Sequence, residues 1–179
     1  MEEGKVIFQN KKIVIRYPNK YDAKPMQDYI NVLSLEKTFI RYQGEQQSFE
    51  EEQKYLDGLL TKISKNNAVV LLAFSGNKLI ANSQIDMKDK TEKHIGVFGI
   101  SVAKENRGKG IGKILMENVL KEAEKNISEL KIIILSVYAN NSLAQNMYKK
   151  FGFSEYGRLP KGICRKGDYE DEILLYKEV

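Results

Sequence analysis

A strand-like run ending Ile100-Ser101-Val102 is followed within ten residues by three alternate glycines, Gly108, Gly110 and Gly112. Arg107, Lys109 and Lys113 interleave with them, and an apolar helical pattern follows at once through Ile111, Ile114, Leu115, Val119 and Ala123. Few features constrain a fold more tightly than this order of strand, glycine turn and helix. The first N–H groups of a helix have no intrahelical partner, and the helix dipole adds about half a positive charge there. Glycines let a ligand approach the backbone closely and permit positive φ. The stretch is therefore built to hold an anion such as a phosphate or pyrophosphate.

Two well-known phosphate loops do not fit. The dinucleotide fingerprint G-x-G-x-x-G needs a third glycine where Lys113 stands after Gly108 and Gly110. The loop G-x-x-x-x-G-K-[ST] needs a glycine where Arg107 stands and a hydroxyl where Ile114 stands. Without that hydroxyl a magnesium–nucleotide site is disfavoured. What remains is R-x-x-G-x-G over Arg107–Gly112.

The elements around the loop follow from periodicity. Alternation around Ile13 and Ile15 predicts a strand over Lys11–Arg16, and Asp22 can cap a helix to about Leu33. Ser48 and Glu51 form a capping box for a helix whose stripe is Phe49, Leu56, Leu59, Leu60 and Ile63. Ala68–Phe74 and Lys78–Met87 read as a hairpin, Lys88–Lys93 as a polar connection and His94–Val102 as a further strand. A helix over about 110–126, a β-branched strand over Lys131–Val137 and a short helix over Ser142–Phe151 come next. Two closing strands, Phe153–Leu159 and Tyr169–Lys177, flank a glycine-rich loop. The expected fold class is mixed α/β (α+β): one domain over residues 1–179, with a mixed, mostly antiparallel sheet of about seven strands and helices on both faces.

Composition narrows the function. The longest apolar runs are of strand length, so no membrane partner is expected. A single cysteine, Cys164, excludes an internal disulfide and makes a metal–thiolate cluster implausible; no metal is expected, and the cytoplasm fits best. The net charge of +5 is spread through stretches such as EEEQK and KDKTEK, which disfavours a nucleic-acid face. A small polyanion would use part of that excess.

A second motif narrows it further. Residues 135–153, LSVYANNSLAQNMYKKFGF, match L-x-V-x-x-x-N-x-x-A-x-x-[LM]-Y-x-x-x-G-F at Leu135, Val137, Asn141, Ala144, Met147, Tyr148, Gly152 and Phe153. With the pattern V-x-x-x-x-[QR]-x-x-G-x-[GA] read from Val102, this resembles the GNAT superfamily of N-acetyltransferases. The ending supports it through Gly167, Tyr169 and Asp171 in G-x-Y-x-D. The resemblance spans essentially the whole chain and is strongest over 94–177.

The resemblance implies transfer of an acetyl group from acetyl-CoA directly to a primary amine, with acetyl-CoA as co-substrate. Arg107, Gly108, Lys109, Gly110, Ile111, Gly112 and Lys113 would cradle the pyrophosphate. The Ile100, Ser101 and Val102 segment would offer backbone N–H to the thioester, and Asn141 would bond pantetheine. Tyr148 would act as general acid toward the CoA thiolate. Lys149 and Lys150 read as solvated, with contact to the nucleotide's 3′-phosphate left open for either. No glutamate stands on the strand before the loop; His94, Asp86, Glu92 and Glu105 are nearby in sequence, and the base stays open. Tyr29, Phe39, Tyr42, Tyr156 and Tyr169, with Asp28, Glu36 and Glu155, are the acceptor-side residues the family pattern suggests. The acceptor would be a small amine, an amino acid or a peptide or protein amine, and a homodimer stays open. A covalent role for Cys164 is disfavoured. The rival reading is a non-catalytic acyl-CoA-binding or sensing module.

Overall fold

The computed structural model describes residues 1–10 and 12–179; the strand start expected at Lys11 lies outside the described residues. The order is β1 (Val6–Gln9), β2 (Val14–Arg16), α1 (Ala23–Leu35), α2 (Phe49–Ser64), β3 (Ala68–Ser75), β4 (Lys78–Met87), β5 (Ile95–Val102), α3 (Ile111–Asn126), β6 (Ile132–Tyr138), α4 (Ser142–Lys150), β7 (Ser154–Arg165) and β8 (Asp168–Glu178). They form one eight-stranded sheet in the order β1-β2-β3-β4-β5-β6-β8-β7, in which only the β5–β6 pair is parallel. The extra strand is β1, a short element whose Val6 is half exposed and which carries too little alternation to be read from sequence.

The helices divide between the two faces. Gln84 stands opposite Gly99, and Asn82 opposite Ser101, so these four share a face. Tyr29 of α1 reaches Ser101 at 2.8 Å and Tyr55 of α2 reaches Gln84 at 3.2 Å, which puts α1 and α2 there. The other face takes α3, where Gly112 abuts Val102 and Ile100, and α4, whose Tyr148 packs edge-on against Phe98. With helices on both sides, β3 is buried along Ala68–Phe74, which is why it reads as an unbroken apolar run.

Two local expectations are corrected. Asp22 occupies the position before α1, but its carboxylate does not cap the helix. It takes Arg16 in a two-pronged pair at 2.7 Å, and an ionised guanidinium is the stronger partner. The capping box of Ser48 and Glu51 forms as expected, yet Phe49 is 48% exposed. The buried face of α2 is Glu52, Leu56, Leu59 and Ile63. A spacing of four, three and four places an acid where the first-turn phenylalanine was expected.

Candidate active site

The parallel pairing of β5 with β6 lasts only from Ile95 to Val97. Beyond it, β5 stays paired to β4 as far as Val102 and β6 to β8 as far as Tyr138. Each strand keeps its outer partner while the two part from each other. The Lys88 N–H bonds Ile95 and the Ala103 N–H bonds Ile80, so odd-numbered residues of β5 exchange bonds with β4. By alternation the N–H groups of Ile100 and Val102 face the gap. The carbonyl of Val102 is already taken, accepting from Arg107 Nε at 2.8 Å.

The glycine loop leaves the end of β5 and enters α3. Gly108 and Gly110 have φ of 73° and 78°, and the space a Cβ would fill at either is open. Gly110 is itself the residue capping α3, with no side chain to satisfy the first-turn N–H groups. Gly112 differs: a Cβ there would lie 3.6 Å from Val102 and 3.9 Å from the Met147 sulfur, so it sits at the seam of β5, α3 and α4. Lys109 and Lys113 are exposed and Ile111 is buried under the first turn.

Arg107 is held from two sides. Besides the Val102 carbonyl, its guanidinium meets Glu36 at 2.6 Å, immediately after α1. The glycine loop is thereby clasped to the start of the segment between α1 and α2. A groove of about 620 Å³ runs beside this clasp, lined by Tyr29, Leu33, Glu36, Leu79, Ala103 and Glu105. None of Gly108–Lys113, Asn141 or Tyr148 lines it.

Asn141 caps α4, its side-chain oxygen accepting the Ala144 N–H at 3.2 Å. Tyr148 lies inside, against Phe98 and Phe153, with ring centroids 5.9 and 6.1 Å away. Burial pushes its pKa up to about 12, with no hydrogen bond or charge contributing.

The acids near β5 in sequence have other partners. Asp86 pairs with Lys62 and Glu92 with Lys88, both at 2.7 Å. His94 precedes β5 and accepts the N–H groups of Lys131 and Ile132 at its carbonyl. Two side chains that sequence reasoning missed stand out instead. Glu52 is buried, and burial alone raises its pKa to about 7. Tyr55 lies one turn on, its hydroxyl donating to Gln84, and burial, Glu52 and Asp86 push it up to about 12. The acid on the apolar stripe of α2 was the available signal. Tyr29, named from sequence, is buried and ties α1 to Ser101, which bonds Asn82 in turn. Phe39 meets Tyr138 at 5.4 Å. Asp28 pairs with Lys24, while Tyr156 and Tyr169 are exposed.

Among the described residues no cluster of three or more His, Cys, Asp or Glu is placed to hold a metal, and no helix is long and apolar enough to cross a membrane. Cys164 is exposed and free.

Comparison with known proteins places this geometry. The chain is 28% identical over 106 residues to the L-amino acid N-acetyltransferase AaaT of Escherichia coli (strain K12), covering 59% of this chain and 65% of that protein. The matched segment thus spans just under two thirds of that relative's length. The fold is similar to that of an acetyltransferase of the GNAT family from Streptococcus pneumoniae, with TM-score 0.86 and 27% identity over 94% of this chain and 100% of that one. The microcin C7 self-immunity acetyltransferase MccE, solved with acetyl-CoA and AMP, shares the fold at TM-score 0.75 and 15% identity, over 95% and 94% of the two chains. The family model for the acetyltransferase (GNAT) family matches residues 30–153, from within α1 through the glycine loop to the residue before β7, and the chain belongs to that family.

Proposed function

We propose that this chain transfers an acetyl group from acetyl-CoA to a primary amine. The observation that carries the reading is one juxtaposition. An open, positively charged glycine turn at the start of α3 lies beside a gap between two strands, and unpaired β5 N–H groups face that gap. The binding of acetyl-CoA by a protein of the same fold supports it.

The thioester supplies the activated acetyl group; the chain's residues supply position and charge. Backbone N–H groups of Gly108–Lys113 suit the pyrophosphate, and the two positive-φ glycines leave room for it. The Ile100 N–H is the group to stabilise the oxygen of the tetrahedral species. As the carbon–nitrogen bond forms and the carbon–sulfur bond breaks, the amine loses a proton and the sulfur gains negative charge. Tyr148 is the donor to that sulfur. A phenol at about 12 is a weaker acid than a thiol near 8.5, so it acts chiefly by hydrogen bonding rather than by its own acidity. On the acceptor face, Glu52 at about 7 has the pKa suited to receive the amine's proton near neutrality.

The test is release of free thiol from acetyl-CoA over a panel of primary amines, with wild type and Tyr148→Phe. Turnover should fall about a hundredfold in the variant while the acetyl-CoA Kd changes less than about twofold. Unchanged turnover would remove Tyr148 from the chemistry. Tight acetyl-CoA binding with no amine consumed would favour a non-catalytic sensing module.

A further inference from the structure

The β7–β8 hairpin outruns the sheet it belongs to. β8 pairs with β6 only as far as Glu172, opposite Tyr138, whereas β7 and β8 stay paired out to Arg165 and Asp168. The overhang carries Arg165 onto the aromatic pair of Phe39 and Tyr138. Its guanidinium carbon lies 4.6 Å from the Phe39 centroid and 5.8 Å from that of Tyr138. The Tyr138 hydroxyl donates to the Ile40 carbonyl at 3.2 Å. Three separate segments therefore meet at one cation: the connection between α1 and α2, the end of β6 and the hairpin tip.

Among the described residues that cation is unpaired. Arg165 Nε is buried and has no hydrogen-bond partner. Among the described residues no carboxylate forms an ion pair with it, although Arg158 on the same strand has both Glu155 and Asp171 at 3.6 Å. A buried N–H of a charged group left unmatched is costly, and stacking on aromatic faces does not satisfy it. Stacking does fix the plane of the guanidinium, which presents its remaining N–H groups as a fork matched to a carboxylate.

The position suits an acceptor. Val97 stands beside Ile134, so Ile134, Ser136 and Tyr138 share the face that carries Gly99 and Ser101, the face of α1 and α2. Tyr138 lies four residues beyond Ile134, about 13 Å along β6 from the point where β5 and β6 part.

We propose that Arg165, braced by Phe39 and Tyr138, binds a carboxylate of the acceptor, so that the preferred amines are amino acids or peptides carrying a free carboxylate. This rests on the acetyltransferase reading above and names its substrate class. The carboxylate is either the α-carboxylate or that of an acidic side chain.

The experiment compares alanine, methionine and phenylalanine with their α-amides, and adds the α-amide of aspartate, for wild type, Arg165→Met and Arg165→Lys at saturating acetyl-CoA. The wild type should prefer each free acid to its amide. Arg165→Met should raise KM for the free acids about tenfold to a hundredfold. It should leave kcat, the amides of alanine, methionine and phenylalanine and the acetyl-CoA KM within about twofold, and Arg165→Lys should recover part of the loss. Preference for aspartate α-amide over the other amides, lost in Arg165→Met, assigns the site to a side-chain carboxylate. Equal use of acids and amides by wild type with no preference for aspartate α-amide, or an equal loss on both in the variant, overturns the proposal. If no amine is acetylated, the acetyltransferase reading fails by itself. Calorimetric titration of N-acetylmethionine, its amide and the α-amide of N-acetylaspartate into CoA-loaded protein then decides Arg165. A preference for either carboxylate over the uncharged amide that disappears in Arg165→Met upholds the proposal, and equal binding of all three overturns it.

Discussion

Three glycines two residues apart meet two different demands. Gly108 and Gly110 hold positive φ in open space, whereas Gly112 lies in the first turn of α3 with neighbours at ordinary contact distance. An alanine at Gly110 meets no neighbouring atom but must adopt a backbone conformation that costs about 1 kcal/mol. Gly110→Ala should therefore lower stability by about that amount in urea unfolding and weaken acetyl-CoA binding about tenfold or more. Gly112→Ala should change either quantity much less. Equal effects at the two positions would show that the loop does not need its left-handed turn. The glycine spacing was legible in the sequence; which glycines bear the strain was not, because that depends on the turn the backbone takes before α3. Glu52 makes a second prediction at this scale. Its ordinary value is 4.5 and burial raises it to about 7, so between those values the native chain binds more protons than the unfolded one. Stability should fall as pH rises through that window and stay lower above it. Glu52→Gln should match wild type near pH 4 and exceed it by about 1–2 kcal/mol at pH 8, discounted for partial hydration. Urea titrations at the two pH values measure this. In the same variant the rise of turnover through pH 7 should flatten if Glu52 takes the amine's proton.

At the scale of elements, most of what sequence reasoning placed is in position, and the exceptions share a cause. The hairpin β3–β4, the helix after the loop and the strand β6 each announce themselves by a strong local pattern. The eighth strand, the length of β7 and the arrangement at Tyr138 and Arg165 depend on partners distant in the chain. β7 runs to Arg165 through a stretch read as a glycine-rich loop, because pairing with β8 overrides its Pro160 and Gly162 with a bulge between Leu159 and Ile163. The parting of β5 from β6 is likewise invisible to periodicity, since both strands keep their alternation beyond Val97. Gly96 lies within the stretch where the two are still joined. A Cβ there would come within 2.6 Å of Ile85 and 3.0 Å of Leu130. Gly96→Ala should destabilise by about 1–3 kcal/mol through overpacking, measured by thermal or urea unfolding. Adding Ile85→Ala, which removes the Cγ2 methyl at 2.6 Å, should cost less than the sum of the two single losses, and a neutral Gly96→Ala would mean that the joint between the strands can spread.

On the proposed reading the glycine-loop side serves the donor and the α1–α2 side the acceptor, and the Arg107–Glu36 pair is a direct bond between them. Arg107 belongs to the motif that resembles a pyrophosphate cradle, but two of its nitrogens are committed to the Val102 carbonyl and to Glu36, the latter at 2.6 Å. The Glu36 side chain is 15% exposed, so this pair is better shielded than the surface ion pairs around it. Beyond Glu36 the chain runs through Phe39 and Ile40, which contact Tyr138. Loosening the clasp should therefore disturb both substrates, whereas loss of a simple phosphate contact should disturb only acetyl-CoA. Glu36→Gln and Arg107→Met should each raise KM for acetyl-CoA severalfold, and the double variant should be scarcely worse than either, because both remove one shared interaction. The acceptor KM should move in the same direction in all three. Had Arg107 acted on phosphate alone, Glu36→Gln would free its charge and lower the acetyl-CoA KM instead. The sign of that single change, read from initial rates at varied acetyl-CoA, separates a residue that binds the donor from one that holds the two halves in register.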